Sequence, residues 1–241
     1  MAGRVKQALA WAALLIASNP AAAEPASVFR ELAEAKTTDA VWARSFAAMI
    51  DRAKIAFQDD PMFARAEARC PGLIDAVFTA TAPLMRERHF AEREQLRAGM
   101  AQILSEGLNE AQAREAIAFY RSPEGRFLME LGADSNNYDE KFAIAPEQFD
   151  REAFEGDLAR THDAIHSNAD PAMIERAERE LGKSRWYRPY LKVHGRIQDL
   201  RFQISKAKAS PEQAALLDQA TKRGAIQHSA SCGQKVPLRA P

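Results

Sequence analysis

His162-Asp163-Ala164-Ile165-His166 sets two imidazoles at i and i+4, so a helix carries both on one face and a metal ion could bridge them. Zinc hydrolysis on such a helix needs a glutamate directly after the first histidine as general base, and a third protein ligand. Asp163 holds that place with a shorter side chain, and no third ligand stands nearby in the sequence. His162 flanks the apolar stripe of its helix and His166 sits at the edge, positions that suit boundary histidines as well as ligands. A metal-dependent hydrolase using His162 and His166 is therefore an alternative reading, not the leading one.

Trp186-Tyr187-Arg188-Pro189-Tyr190 follows Arg185 and places three aromatics beside two arginines. Such a cluster can stack on a sugar, peptide or aromatic ligand, or pack a core while the arginines reach for water. A small-ligand binder at Trp186–Tyr190 is the second alternative. Asp134-Ser135-Asn136-Asn137-Tyr138-Asp139 opens like a calcium loop, but lacks the glycine at its sixth position and has Ala145 where a bidentate acid belongs. It reads as a solvated interhelix loop. Arg86-Glu87-Arg88-His89 and Glu92-Arg93-Glu94 read as a wet helix face with i, i+4 pairing. Nucleophile-elbow and phosphate-loop motifs are absent, and the chain has only 11 glycines to build them. No catalytic residue, metal ligand or cofactor is assigned.

The elements that would position these groups read almost entirely as helix. Trp42, Phe46, Met49, Ile50, Ala53 and Phe57 make one apolar stripe. Pro61 and Pro71-Gly72 punctuate the chain beyond it. Leu73/Ile74, Val77/Phe78, Thr81 and Leu84/Met85 make a second stripe, with a kink expected at Pro83. Leu96, Met100, Ile103 and Leu104 make a third, ended by Gly107. Residues 132–150 are the longest irregular stretch and the best candidate boundary. Beyond it, Phe154, Leu158, Thr161 and Ile165 line a helix, and Asp170-Pro171 starts a short one. Tyr190, Val193, Ile197, Leu200 and Ile204 repeat at 3, 4, 3, 4 like a coiled-coil seam. The alternation of Leu200, Phe202 and Ile204 leaves a β-hairpin open over 190–204. Ser210-Pro211-Glu212 begins a last helix, and periodicity fades from Ser229.

The N-terminus has the three parts of a secretory signal: Arg4 and Lys6, the apolar run Ala8–Ala17, and Ala21-Ala22-Ala23 after Asn19-Pro20. Cleavage is expected after Ala23. The apolar run is too short to anchor in a bilayer, and no later stretch reaches the length of a span. The full chain is formally neutral, with 33 basic and 33 acidic residues. Loss of Arg4 and Lys6 leaves it slightly acidic, which argues against nucleic acid as a partner. Export also permits oxidation of the two cysteines, Cys70 and Cys232, as a possible disulfide. Such a bridge would close a very long loop, worth roughly 4–5 kcal/mol in the chain-entropy account.

Leu108–Leu131 reads as two helices broken at a Ser-Pro-Glu-Gly corner. Asn109 and Gln112 form a capping box, and Ala113, Ala116, Ile117 and Tyr120 form the buried stripe. Pro123 ends the first helix and starts the second, with Ser122 as N-cap. Gly125 lets another backbone or a ring approach, and Gly132 is the expected stop. Phe119-Tyr120-Arg121-Ser122-Pro123-Glu124-Gly125-Arg126 resembles the Phe-Tyr-x-Ser-Pro-x-Gly core of the domain-of-unknown-function 2059 family of exported bacterial proteins. The resemblance spans about residues 88–140. It implies an exported, all-helical domain, a Gram-negative host and a periplasmic location, and it carries over no catalytic residue.

The expectation is thus an all-α, bundle-like fold of about eight helices. A signal peptide covers 1–23, a helical domain 24–145, and a C-terminal helical extension 146–241 with a disordered tail from about 229. The leading functional expectation is a non-enzymatic periplasmic interaction module. It would bind a protein or envelope component near the Phe119–Arg126 corner or the Tyr190–Ile204 seam.

Overall fold

A computed structural model describes residues 26–136, 138 and 148–233. The signal segment 1–23 lies outside these residues, as do 139–147 and the last eight positions. Among the described residues every regular element is a helix. They are α1 (Ser27–Lys36), α2 (Asp39–Asp59), α3 (Pro61–Arg69), α4 (Leu73–Gly107), α5 (Glu110–Arg121), α6 (Pro123–Asp134), α7 (Arg151–Asn168), α8 (Pro171–Lys183), α9 (Tyr187–Lys206) and α10 (Pro211–Ser231).

The all-α expectation holds, but the number of described helices is ten rather than about eight. The two extra helices are short ones near the N-terminus. In α1, Val28, Phe29, Leu32 and Ala33 form a buried face directly behind the expected cleavage point. In α3, Pro61 is not a break but the first helical residue; the Asp60 carboxylate accepts the Met62 and Phe63 amides at 2.7 and 3.2 Å. The second and third stripes fuse into α4, a 35-residue helix that runs through Pro83. The 190–204 segment lies within α9 and is helical, not a hairpin. Gly132 does not stop α6, which continues to Asp134. At the C-terminus α10 reaches Ser231, past Ser229, where a disordered tail was expected; Ser229 itself is buried.

The capping chemistry follows the sequence. Asn109 Oδ1 accepts the Gln112 amide at 2.9 Å, and the Gln112 side chain accepts the Asn109 amide at 3.0 Å. Ser122 Oγ accepts the Gly125 amide at 3.1 Å. The reason for glycine at 125 is close backbone approach. A Cβ there would lie 2.7 Å from Tyr120 Cα and collide with the Phe119 carbonyl oxygen.

Helices α1, α2, α3, α9 and α10 all pack on α4. The main core joins Leu32 and Ala33 of α1, Met100 and Leu104 of α4, Ala113 and Ala116 of α5, and Trp186, Tyr190, Val193 and Ile197 around α9. Residues on both sides of position 145 share it. At the other end of α4, Ile74 and Phe78 meet Ala53 of α2, and Leu73 and Val77 meet Ala225 of α10. Here Cys70 and Cys232, the caps of α3 and α10, stand with Cα atoms 5.6 Å apart, a spacing that a disulfide spans. His228 lies beside them and donates from Nε2 to the Pro71 carbonyl at 2.8 Å.

Two outcomes test this packing. Gly125→Ala should destabilise the protein by about 2–3 kcal/mol, because the obstructing atoms are backbone; an unchanged urea midpoint would remove close approach as the reason for the glycine. If Cys70 and Cys232 are bonded, the non-reduced intact mass sits two hydrogens below the reduced mass, and Cys232→Ser lowers the melting temperature under non-reducing conditions only.

Candidate functional site

The aromatic cluster at Trp186 and the Phe119–Arg126 corner meet in the core. Trp186 is 1% exposed. Its ring centroid lies 5.7 Å from Phe119, 5.6 Å from Tyr120 and 5.8 Å from Tyr190. The Trp186–Tyr190 cluster is therefore a packing junction that seats α9 against the Phe119–Tyr120 end of α5, with Trp186 closed to an incoming ring. An open cleft of about 440 Å³ borders this junction, between Ser122 and Glu124 on one side and Arg176, Arg179 and Lys183 on the other. Its charges pair locally: Arg179 with Glu175 at 2.7 Å and Lys183 with Glu180 at 3.1 Å.

His162 and His166 are exposed on α7, and their Nε2 atoms stand 3.1 Å apart. Among the described residues no third His, Cys, Asp or Glu ligand atom gathers with them. The group that does gather is Cys70, His228 and Cys232 at the far end of the fold. The described part of the calcium-like stretch is used up on α2: Asp134 accepts from Arg44 at 2.7 Å and Asn136 donates to Ser45 at 3.0 Å. The charged run of α4 is not a wet face throughout. His89 and Arg93 are buried there, with Trp42 stacked 4.7 Å from His89 and Arg93 paired to Asp39.

A second, half-open cavity of about 370 Å³ is bounded by α1, α2, α4, α6, α7 and α9. Its wall is mostly apolar: Trp42 and Met49, Leu96 and Met100, Leu128 and Met129, Phe154, Leu158 and Ile165. The α9 side is a single helical face. Tyr190, His194, Ile197, Gln198, Arg201, Ile204 and Ser205 fall at offsets 0, 4, 7, 8, 11, 14 and 15 and all line the cavity. The seam residues Tyr190, Ile197 and Ile204 are legible from their spacing. His194, Gln198 and Arg201 are not, because a search for apolar repeats passes over polar residues on the same stripe.

These polar residues form a connected strip. Lys36, the last residue of α1, donates to the Tyr120 hydroxyl at 2.6 Å, and its ammonium lies 4.0 Å from the Tyr120 ring centre and 4.8 Å from that of Tyr190. Tyr190 Oη and His194 Nδ1 are 3.0 Å apart, and His194 Nε2 and Gln198 Nε2 are 3.0 Å apart. The amide N–H of Gln198 then serves the lone pair on Nε2, which makes Nδ1 the protonated nitrogen, donating to Tyr190. Gln198 Oε1 is buried with no hydrogen-bond partner among the described residues.

Charge along the cavity is uneven. Its two acids are engaged: Glu92 with Arg88 at 2.9 Å and Asp157 with Arg160 at 2.9 Å. Its two permanent cations, Lys36 and Arg201, are half-buried, and neither has a carboxylate partner among the described residues. Burial opposes the charge on Lys36, yet the Tyr120 and Tyr190 phenols outweigh it and leave the pKa raised. Burial pushes the Tyr120 phenol up to about 12. His194 goes the other way: burial first, then the charges of Lys36 and Arg201, hold it below its ordinary 6.5. The strip thus strengthens the hold on the Lys36 and Tyr120 protons and weakens the hold on a second proton at His194.

The sequence is similar, over residues 94–135, to a family described as "Uncharacterized protein conserved in bacteria (DUF2059)". That stretch holds the second half of α4, all of α5 and α6, and the Phe119–Arg126 corner. No curated protein and no solved structure matches the chain.

His194 generates a pH prediction. The fold favours its neutral form, so its contribution to stability is present above about pH 6.5 and is lost as pH falls through the depressed folded value. Wild type should lose more melting temperature between pH 7 and pH 5 than His194→Gln. Parallel curves for the two proteins would show that His194 is not so held.

Proposed function

We propose that the chain is an exported, non-enzymatic helical binding module of the bacterial periplasm, and that it takes up an envelope component in the cavity walled by α9. The observation that carries this reading is the cavity itself. It is preformed between six helices, apolar over most of its wall, and supplied with a few polar groups on one side, which is the usual make-up of a small-ligand site. It also falls on the Tyr190–Ile204 seam. His194 has both ring nitrogens engaged, by Tyr190 and by Gln198, which favours holding a ligand over moving a proton. Export rests on the signal-like residues 1–23 and on the likeness to a bacterial family; no described helix is long and apolar enough to cross a membrane.

The test uses a neutral apolar probe, N-phenyl-1-naphthylamine. Saturable one-to-one fluorescence enhancement with the wild-type chain, abolished by Leu158→Trp, is the expected result. Leu158 lines the cavity from α7 and is half-buried, so the larger ring fills space that the probe would occupy. Enhancement equal in both proteins would place the probe elsewhere and remove the cavity as the site. Export is checked separately: protein released from the host by osmotic shock should begin at Glu24.

A further inference from the structure

We infer that the occupant of this cavity is a medium-chain fatty acid, its carboxylate neutralising Lys36 and Arg201 and its alkyl chain lying along the apolar wall. The inference rests on the binding-module reading and adds the ligand class.

Three features lead to it. The first is charge. Two cations line a mostly apolar cavity, while its two acids, Glu92 and Asp157, are already paired to Arg88 and Arg160. The other titratable groups facing this space are His89 on α4, Tyr138, and Tyr190 and His194 on α9. The half-buried Arg201 guanidinium has no carboxylate partner among the described residues, and an incoming carboxylate would supply one with charge-assisted, bidentate hydrogen bonds, while the Lys36 ammonium, already held by two phenols, adds a second positive charge to the same lining. The second is chemistry of the wall. Beside the cations stand Leu96, Met100, Leu158, Ile197 and Ile204, methylene-rich and suited to an alkyl chain, and Gln198 leaves its buried amide oxygen without a partner among the described residues. The third is size. At roughly 30 Å³ for each water-sized group, about 370 Å³ holds about a dozen heavy atoms, which matches a carboxylate on a chain of about ten carbons.

The alkyl headgroup series on the full wild-type chain decides the matter. Decanoate, 1-decanol and decyltrimethylammonium share one tail and differ in charge. By calorimetry at neutral pH, decanoate should bind one-to-one at least about ten-fold tighter than decanol, and the cation should not bind. Lys36→Met and Arg201→Met should each weaken decanoate about ten-fold and leave decanol within about two-fold, with helical circular dichroism unchanged. Should Lys36→Met fail to fold, Arg201→Met and the wild-type series still give the answer. Decanoate no tighter than decanol overturns the carboxylate assignment and leaves the binding cavity standing. Failure of all three ligands while N-phenyl-1-naphthylamine still binds overturns the fatty-acid inference alone. Failure of the naphthylamine as well overturns both readings.

Discussion

Five of the helices pack directly on α4, and α5 and α6 join the body through α1 and α2. A helix of 35 residues rises about 50 Å, more than one partner can cover, so its two ends are buried by different elements. The Leu96–Leu104 half is covered by α1, α5 and α9, and the Leu73–Phe78 half by α2, α3 and α10. Covering one rod from several sides forces close approaches. Gly224 brings α10 so near that a Cβ would stand 2.8 Å from the Ala76 carbonyl oxygen. Along His89 to Met100, the α4 face turned toward α2, α7 and α9 lines the cavity.

The corner between α5 and α6 contributes to the cavity at one remove. Gly125 allows α6 to turn tightly off the end of α5. That places Phe119 and Tyr120 against Trp186, and Tyr120 then receives the Lys36 ammonium. Lys36 is in turn held between two phenol rings, one from α5 and one from α9. A corner built for packing thereby fixes a cation at the cavity edge. The strip from Lys36 through Tyr190 and His194 to Gln198 links α1, α5 and α9, three elements far apart in sequence.

Much of this architecture is legible in the sequence because its signals are local. The capping box at Asn109–Gln112, the Ser122-Pro123 corner and the α9 seam depend on contacts within a few residues, and the structure keeps all three. The departures have equally local causes. Pro61 and Gly132 look like breaks, yet proline is accommodated at a first helical position and glycine within a helix interior costs only about 1 kcal/mol. Pro83 does not divide α4, since the packing on both sides of it, at Ile74 and Phe78 and at Leu96 to Leu104, outweighs one missing backbone hydrogen bond.

By itself the sequence determined the helical class, the caps and which face of most helices is apolar, because periodicity and capping act over one or two turns. It also carried the likeness to a bacterial family over residues 94–135. Only the tertiary structure decided that Trp186 is core, that His162 and His166 stand exposed without a third partner among the described residues, and that Lys36 and Arg201 share a cavity. The physical reason is separation. Lys36 meets Tyr120 across 84 positions, and no local pattern encodes a meeting that the helices packed on α4 bring about.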